Sequence, residues 1–162
     1  MGFLSDEQIR RYQMAVDKGV QFVIDSQRED GWVEPEGTPL EVVLTYNLAT
    51  MLCQAGKLAE ARRYVDFISE NMSDPYDGLQ KVDQDSVWAT HTAYFKGWRV
   101  YGCHQLGMYD ISLKLVHTLD RFVNPVTGGV HVTEKGARNR TVTSFFRGAP
   151  VAMAMLITGR MD

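Results

Sequence analysis

The sequence predicts an all-α protein built from three αα-hairpins. Apolar residues recur at helical spacing along almost the whole chain, and glycines end the apolar runs at similar intervals. The chain has 162 residues, of which 44% are apolar and 23% charged, as is typical of one compact globular domain. We therefore expect a single domain over residues 1–162, with repeats at about 5–56, 57–107 and 108–159.

Six apolar stripes predict the helices in chain order. The last stripe is apolar on nearly all sides, which is typical of a buried helix, and Pro150 inside it predicts a delayed or kinked helix. The stripes cover residues 9–23, 40–52, 58–72, 86–106, 108–122 and 143–158.

Capping signals mark several helix ends. Ser5 followed by Gln8 predicts a capping box at the first helix, and the stretch 38–41, Thr-Pro-Leu-Glu, predicts the start of the second. Glycines just past three apolar runs predict left-handed C-cap residues, which are Gly56, Gly107 and Gly159.

The predicted hairpins share a glycine-containing loop after their first helix. The three loops cover residues 27–32, 73–79 and 124–130, and the intervals from Gly31 to Gly78 and from Gly78 to Gly129 are 47 and 51 residues. A period of this length indicates a helical repeat protein.

Two of these loops resemble the repeats of the α/α-toroid proteins, a group that includes the terpenoid (squalene-type) cyclases and the protein prenyltransferases. Residues 27–32, Gln-Arg-Glu-Asp-Gly-Trp, resemble their Gln-Trp repeat motif, with one residue missing between Gly and Trp. Residues 124–130, Asn-Pro-Val-Thr-Gly-Gly-Val, resemble their Gly-Gly loop. Sugar epimerases and unsaturated-glucuronide hydrolases share such repeats. The resemblance implies half of an α/α toroid, because this chain holds half the hairpins of a full ring.

Half a toroid would be an open crescent with its inner helices facing water. Large exposed apolar patches on soluble proteins usually mark an interface, so we expect a homodimer. A fragment of a larger protein would equally explain the length. The inner-face residues expected at the interface are Leu44, Leu48, Trp88, Phe95 and Phe146.

The stretch 82–89, Val-Asp-Gln-Asp-Ser-Val-Trp-Ala, resembles the acid motif of squalene-type cyclases, Asp-x-Asp-Asp before a small residue. The resemblance implies that Asp85 is a catalytic acid that protonates an alkene or epoxide. Ser86 stands where the motif has its final Asp. The alternative is that Asp85 only caps the next helix.

An aromatic stripe follows Asp85 on the same predicted helix. Helical geometry puts five rings on roughly one broad face, those of Trp88, His91, Tyr94, Phe95 and Trp98. Such a face suits a bulky apolar or cationic ligand, with His91 beside the acid as a second catalytic candidate. The alternative is an aromatic core stripe with a hydrogen-bonded histidine.

Arg147 lies in an otherwise apolar stretch and therefore needs an acidic partner or an anionic ligand. Its candidate partners are Glu41 and Asp85, both at the starts of inner helices. The functional interpretation is an anion clamp in the substrate site, and the alternative is a structural ion pair at a subunit interface.

Several function classes are disfavoured. A net charge of -3 is not that of a nucleic-acid-binding domain. No apolar run approaches the ~20 residues of a membrane span, and the N-terminus lacks the signal-peptide pattern, so we expect a cytoplasmic protein. Two cysteines are too few for a disulfide framework. No Cys or His residues have the spacing of a helical metal site, so we expect neither metal nor cofactor.

The leading hypothesis is a small-molecule enzyme resembling the terpenoid cyclases, with acid-catalysed chemistry on a bulky apolar substrate in an aromatic-lined concave site. Two alternatives remain: a non-catalytic helical-repeat binding or assembly module, and a carbohydrate-directed α/α-barrel enzyme. An enzyme of the first kind requires Asp85, His91 and Arg147 to converge on one pocket.

Overall fold

The computed structural model describes residues 4–34, 45–73, 91–131 and 145–160, with only the backbone described for 145–147. Within these ranges the chain forms six α-helices and one 3-10 turn, and its only extended pairings are isolated bridges. The helices are α1 (Asp6–Asp25), α2 (Leu48–Gln54), α3 (Leu58–Asn71), α4 (Thr92–Gln105), α5 (Tyr109–Leu119) and α6 (Phe145–Ile157), with the 3-10 turn at Asp120–Phe122.

Each of the six apolar stripes overlaps one helix, so the predicted all-α fold is confirmed for the described ranges. The predicted capping box is also present at α1. The backbone N–H of Ser5 donates to Gln8 Oε1 at 2.9 Å, and the N–H of Gln8 donates to Ser5 Oγ at 3.3 Å. The helix start predicted at 38–41 lies outside the described residues.

The same C-terminal motif ends α2, α4 and α6. Gly56, Gly107 and Gly159 have φ values of 73°, 70° and 77°, as predicted for left-handed caps. The residue after each glycine donates its N–H to the carbonyl five residues earlier, closing a Schellman motif. These donor and acceptor pairs are Lys57 to Leu52, Met108 to Cys103, and Arg160 to Met155.

Two of the three predicted repeat loops are described in full, and each closes with an isolated antiparallel bridge. The bridges join Gln27 to Val33 and Val123 to Val130. Most of the middle loop lies outside the described residues. The arrangement of the hairpins as half a toroid stays a prediction.

Helix α4 is the centre of the described structure, because it contacts α2, α5 and α6. Cys103, near its C-terminal end, belongs to a core with α2 and α3, whereas Ala93 and Val100 belong to a core with α5 and α6. Two glycines permit the close contacts. A Cβ added at Gly97 would lie 2.6 Å from the carbonyl carbon of Pro150 in α6, and one at Gly102 would lie 2.8 Å from the Cβ of Ala49 in α2.

Helix α1 is exposed along most of its length. Val20 is its one buried residue, and Val23 and Ile24 pack partly against the first core. The loop after α1 holds its end in place, because Gln27 Nε2 donates to the carbonyl of Glu60 at 2.9 Å. The rest of α1 projects without a partner in the described ranges. No helix in these ranges is both long and apolar enough to cross a bilayer.

Candidate functional site

The candidate site is a row of half-buried rings along one side of α4. His91 precedes the helix, and Tyr94, Trp98 and Tyr101 follow at intervals that keep them on one face. Consecutive rings contact edge to face, with centroid distances of 6.4, 6.4 and 6.1 Å. We call these four residues the aromatic face.

Two further rings support the aromatic face. Tyr46, just before α2, lies 5.2 Å from Tyr94 and 5.2 Å from Phe95 between ring centroids, and Phe95 stacks on His91 at 5.8 Å. The hydroxyl oxygens of Tyr46 and Tyr94 are 3.5 Å apart. That hydrogen bond, together with burial, raises the pKa of Tyr46 to about 12. Tyr46 is therefore a neutral hydrogen-bonding group at neutral pH and not a base.

One polar atom on the aromatic face lacks a partner. Trp98 Nε1 is buried and has no hydrogen-bond acceptor among the described residues. A buried unpaired donor costs free energy, so an acceptor supplied at this position would be favourable.

The opposite side of α4 is buried although it carries polar residues. Lys96 and Arg99 are only 4% and 6% exposed, and they share this side with the fully buried Thr92 and Cys103. Arg99 Nη2 donates to Ser73 Oγ at 2.7 Å and to Ser69 Oγ at 3.1 Å. The sequence analysis did not predict that Lys96 and Arg99 are buried. Their spacing from Thr92 and Cys103 could have indicated it, since it puts all four residues on one helix face.

Burial suppresses the acidity of two groups near Arg99. Burial raises the pKa of the Cys103 thiol to about 11, although Arg99 partly opposes the shift. Burial also raises the pKa of Tyr64, whose hydroxyl donates to Thr45 at 2.8 Å. Both groups are neutral at pH 7, so the thiol is a poor nucleophile.

Two cationic side chains lie near the ring of Phe122, just after the C-terminal end of α5. Lys96 Nζ lies 5.8 Å and the Arg121 guanidinium 5.4 Å from the ring centroid. His131 is 1% exposed, and its backbone N–H donates to the Phe122 carbonyl at 2.7 Å. These contacts join the N-terminal half of α4 to the loop after α5.

The structure brings together three of the predicted site residues, His91, Tyr94 and Trp98, and adds Tyr101 and Tyr46 to them. Tyr101 was recognisable from its helical spacing, whereas Tyr46 comes from another segment. The remaining predictions are not tested, because Glu41, Asp85 and Trp88 lie outside the described residues and only the backbone of Arg147 is described.

An open groove of about 510 Å³ lies elsewhere, along the polar side of α1. None of its described lining residues belongs to the aromatic face. They are Glu7, Arg10, Arg11, Met14, Ala15 and Lys18.

In the described ranges, no group of three or more His, Cys, Asp or Glu side chains is arranged to hold a metal ion. The sequence matches no protein-family model, no curated protein and no solved structure.

Proposed function

We propose that this protein binds a bulky apolar small molecule against the aromatic face of α4. The observation that carries the proposal is the continuous row of edge-to-face rings from His91 to Tyr101, which is half-buried and supported by Tyr46. Aromatic side chains bury large apolar areas with few rotatable bonds, so a row of mutually packed rings forms a rigid binding wall. Ring faces also attract a cation, which suits a substrate that develops positive charge.

The proposed chemistry is acid catalysis of the kind found in the terpenoid cyclases that the sequence resembles. Asp85 is the proposed acid and His91 a second catalytic group beside it. Glu41, Trp88 and Arg147 are proposed to complete the substrate site with Tyr94 and Trp98. The position of His91 at the start of the aromatic face supports this, since Asp85 precedes His91 by only six residues in the sequence.

The proposed architecture is three αα-hairpins forming half of an α/α toroid, assembled as a homodimer. The Schellman motif recurs after 51 and then 52 residues, which supports three successive repeat units. Phe95 is buried within one chain, so the proposed interface excludes it. We propose a cytoplasmic protein, a location that the free thiols of Cys53 and Cys103 support.

Titration with a linear isoprenoid alcohol, followed by calorimetry, tests the binding proposal. Trp98→Ala and Tyr94→Ala should each weaken binding at least about tenfold, because each removes an aromatic contact surface. Tyr109→Ala is the matched control, since Tyr109 is an exposed tyrosine on α5 outside the aromatic face. The proposal would be contradicted if the wild type bound no isoprenoid alcohol. It would also be contradicted if Tyr109→Ala bound it as weakly as the two site variants.

Asp85→Asn tests the catalytic part separately. Asn caps a helix nearly as well as Asp but cannot donate an acidic proton, so the variant should fold and bind while turnover is lost. An Asn variant as active as the wild type would end the catalytic assignment and leave a binding module.

A further inference from the structure

The aromatic face has a polar end, formed by the hydroxyl groups of Tyr46 and Tyr94. Tyr46 lies just before α2 and Tyr94 in the first turn of α4, at the end of the face where His91 lies. Both tyrosines are half-buried, as are Trp98 and Tyr101 farther along the face. A ligand that covers this end removes the two hydroxyl groups from water, which costs free energy unless the ligand itself hydrogen-bonds to them.

The two hydroxyl groups are too far apart to form a short hydrogen bond with each other. Their oxygens are 3.5 Å apart, whereas an O–H···O hydrogen bond is usually about 2.7–2.8 Å long. The hydrogen bond to Tyr94 raises the pKa of Tyr46, which indicates that the Tyr46 hydroxyl is the donor, because a donated proton is harder to lose. The pair therefore shares one long hydrogen bond, and a third oxygen beside it could lie about 2.8 Å from both tyrosine oxygens.

We propose that the ligand carries a hydroxyl group that binds between Tyr46 and Tyr94, so that the ligands of this protein are apolar alcohols. Tyr46 donates to the ligand oxygen, and the ligand hydroxyl donates to the oxygen of Tyr94. Two short hydrogen bonds thereby replace one long one, and neither tyrosine changes its protonation state. This inference rests on the proposed binding function and adds the chemical class of the ligand to it.

The geometry of the pair favours a hydroxyl group over other polar groups. The bridge requires one atom that both accepts and donates a hydrogen bond. A hydroxyl oxygen does both, whereas ether, carbonyl and ionised carboxylate oxygens only accept. A hydrocarbon would make neither hydrogen bond and would leave the two tyrosine hydroxyl groups out of contact with water.

The rest of the aromatic face suits the apolar part of such a ligand. Trp98 and Tyr101 follow Tyr94 by four and seven residues, so the face extends about 10 Å along α4 from the hydroxyl pair. The Trp98 ring contacts the rings of Tyr94 and Tyr101 edge to face, at centroid distances of 6.4 and 6.1 Å. A polar end followed by an aromatic surface matches a molecule with one hydroxyl group at the end of an apolar chain.

Calorimetric titration of the full chain with a linear isoprenoid alcohol and with its methyl ether tests the inference. The ether keeps the carbon skeleton and the oxygen but cannot donate a hydrogen bond. The wild type should bind the alcohol at least about fivefold more tightly than the ether, which cannot make the hydrogen bond to Tyr94. Tyr94→Phe should weaken binding of the alcohol at least about fivefold and of the ether less than about twofold. Tyr46→Phe should weaken both ligands, because both accept from Tyr46.

Tyr109→Phe is the matched control, because it removes the same hydroxyl group from an exposed tyrosine on α5, outside the aromatic face. It should change neither affinity. The inference would be overturned, and the binding function kept, if the wild type bound the ether as tightly as the alcohol. Equal weakening of the two ligands by Tyr94→Phe would have the same consequence. If the wild type bound neither ligand, the binding function and the inference would both fail.

Discussion

In helices α1 and α4, the regularity of the apolar sequence pattern does not match the extent of burial. Helix α1 has the cleaner pattern, with a capping box and a regular apolar stripe, yet most of it is exposed. Helix α4 contains two glycines and two cationic residues, yet nine of its fourteen residues are buried. A stripe shows that a helix has a face to bury, but only neighbouring elements can bury it.

The two helices also differ in what stabilises them. Helix α1 depends on its own cap and backbone hydrogen bonds, which are worth little for an isolated helix in water. Helix α4 has three helical neighbours, whose packing offsets the low helix propensity of Gly97 and Gly102. Matched substitutions in the two regions should therefore differ sharply in effect.

The largest difference is expected for phenylalanine. Phe122 is fully buried in the core that α4 shares with α5 and α6, whereas Phe22 on α1 is 59% exposed. Phe122→Ala should lower the free energy of unfolding by about 4 kcal/mol, and Phe22→Ala by less than about 0.5 kcal/mol. Urea unfolding measures both. Similar losses for the two variants would show that α1 is as well packed as the core.

Glycine should give effects of opposite sign. Gly97→Ala forces a Cβ against the backbone of Pro150 and should cost about 3 kcal/mol. Gly19→Ala meets nothing and should gain up to about 1 kcal/mol from higher helix propensity. Urea unfolding should be measured at low protein concentration, where the chain is monomeric. A destabilised Gly19→Ala monomer would mean that α1 has a partner within its own chain.

A smaller loss of stability is expected in the core when the pH is raised. The pKa of Tyr64 is raised in the folded state, so the unfolded chain loses this proton near pH 10 while the folded chain keeps it. Stability should be unaffected below that pH and fall above it. Tyr64→Phe should cost about 1 kcal/mol at pH 7 and reduce the alkaline loss, as followed by urea unfolding from pH 8 to about 11. If Tyr64→Phe lost as much stability at alkaline pH as the wild type, the loss could not be assigned to Tyr64.

The sequence alone determined the local features of this protein. The capping box at Ser5 and the glycine caps at Gly56, Gly107 and Gly159 were predicted because each depends on hydrogen bonds and dihedral angles within one or two turns. The common face of His91, Tyr94 and Trp98 was likewise predictable, because helical spacing alone puts them together.

Tertiary structure alone decided which faces are covered. Lys96 and Arg99 resemble surface residues in the sequence, and they are buried because α2, α5 and α6 surround α4. The support that Tyr46 gives to the aromatic face and the exposure of most of α1 have the same origin. Burial depends on contacts between residues far apart in the chain, and the periodicity of a single helix carries no information about its neighbours.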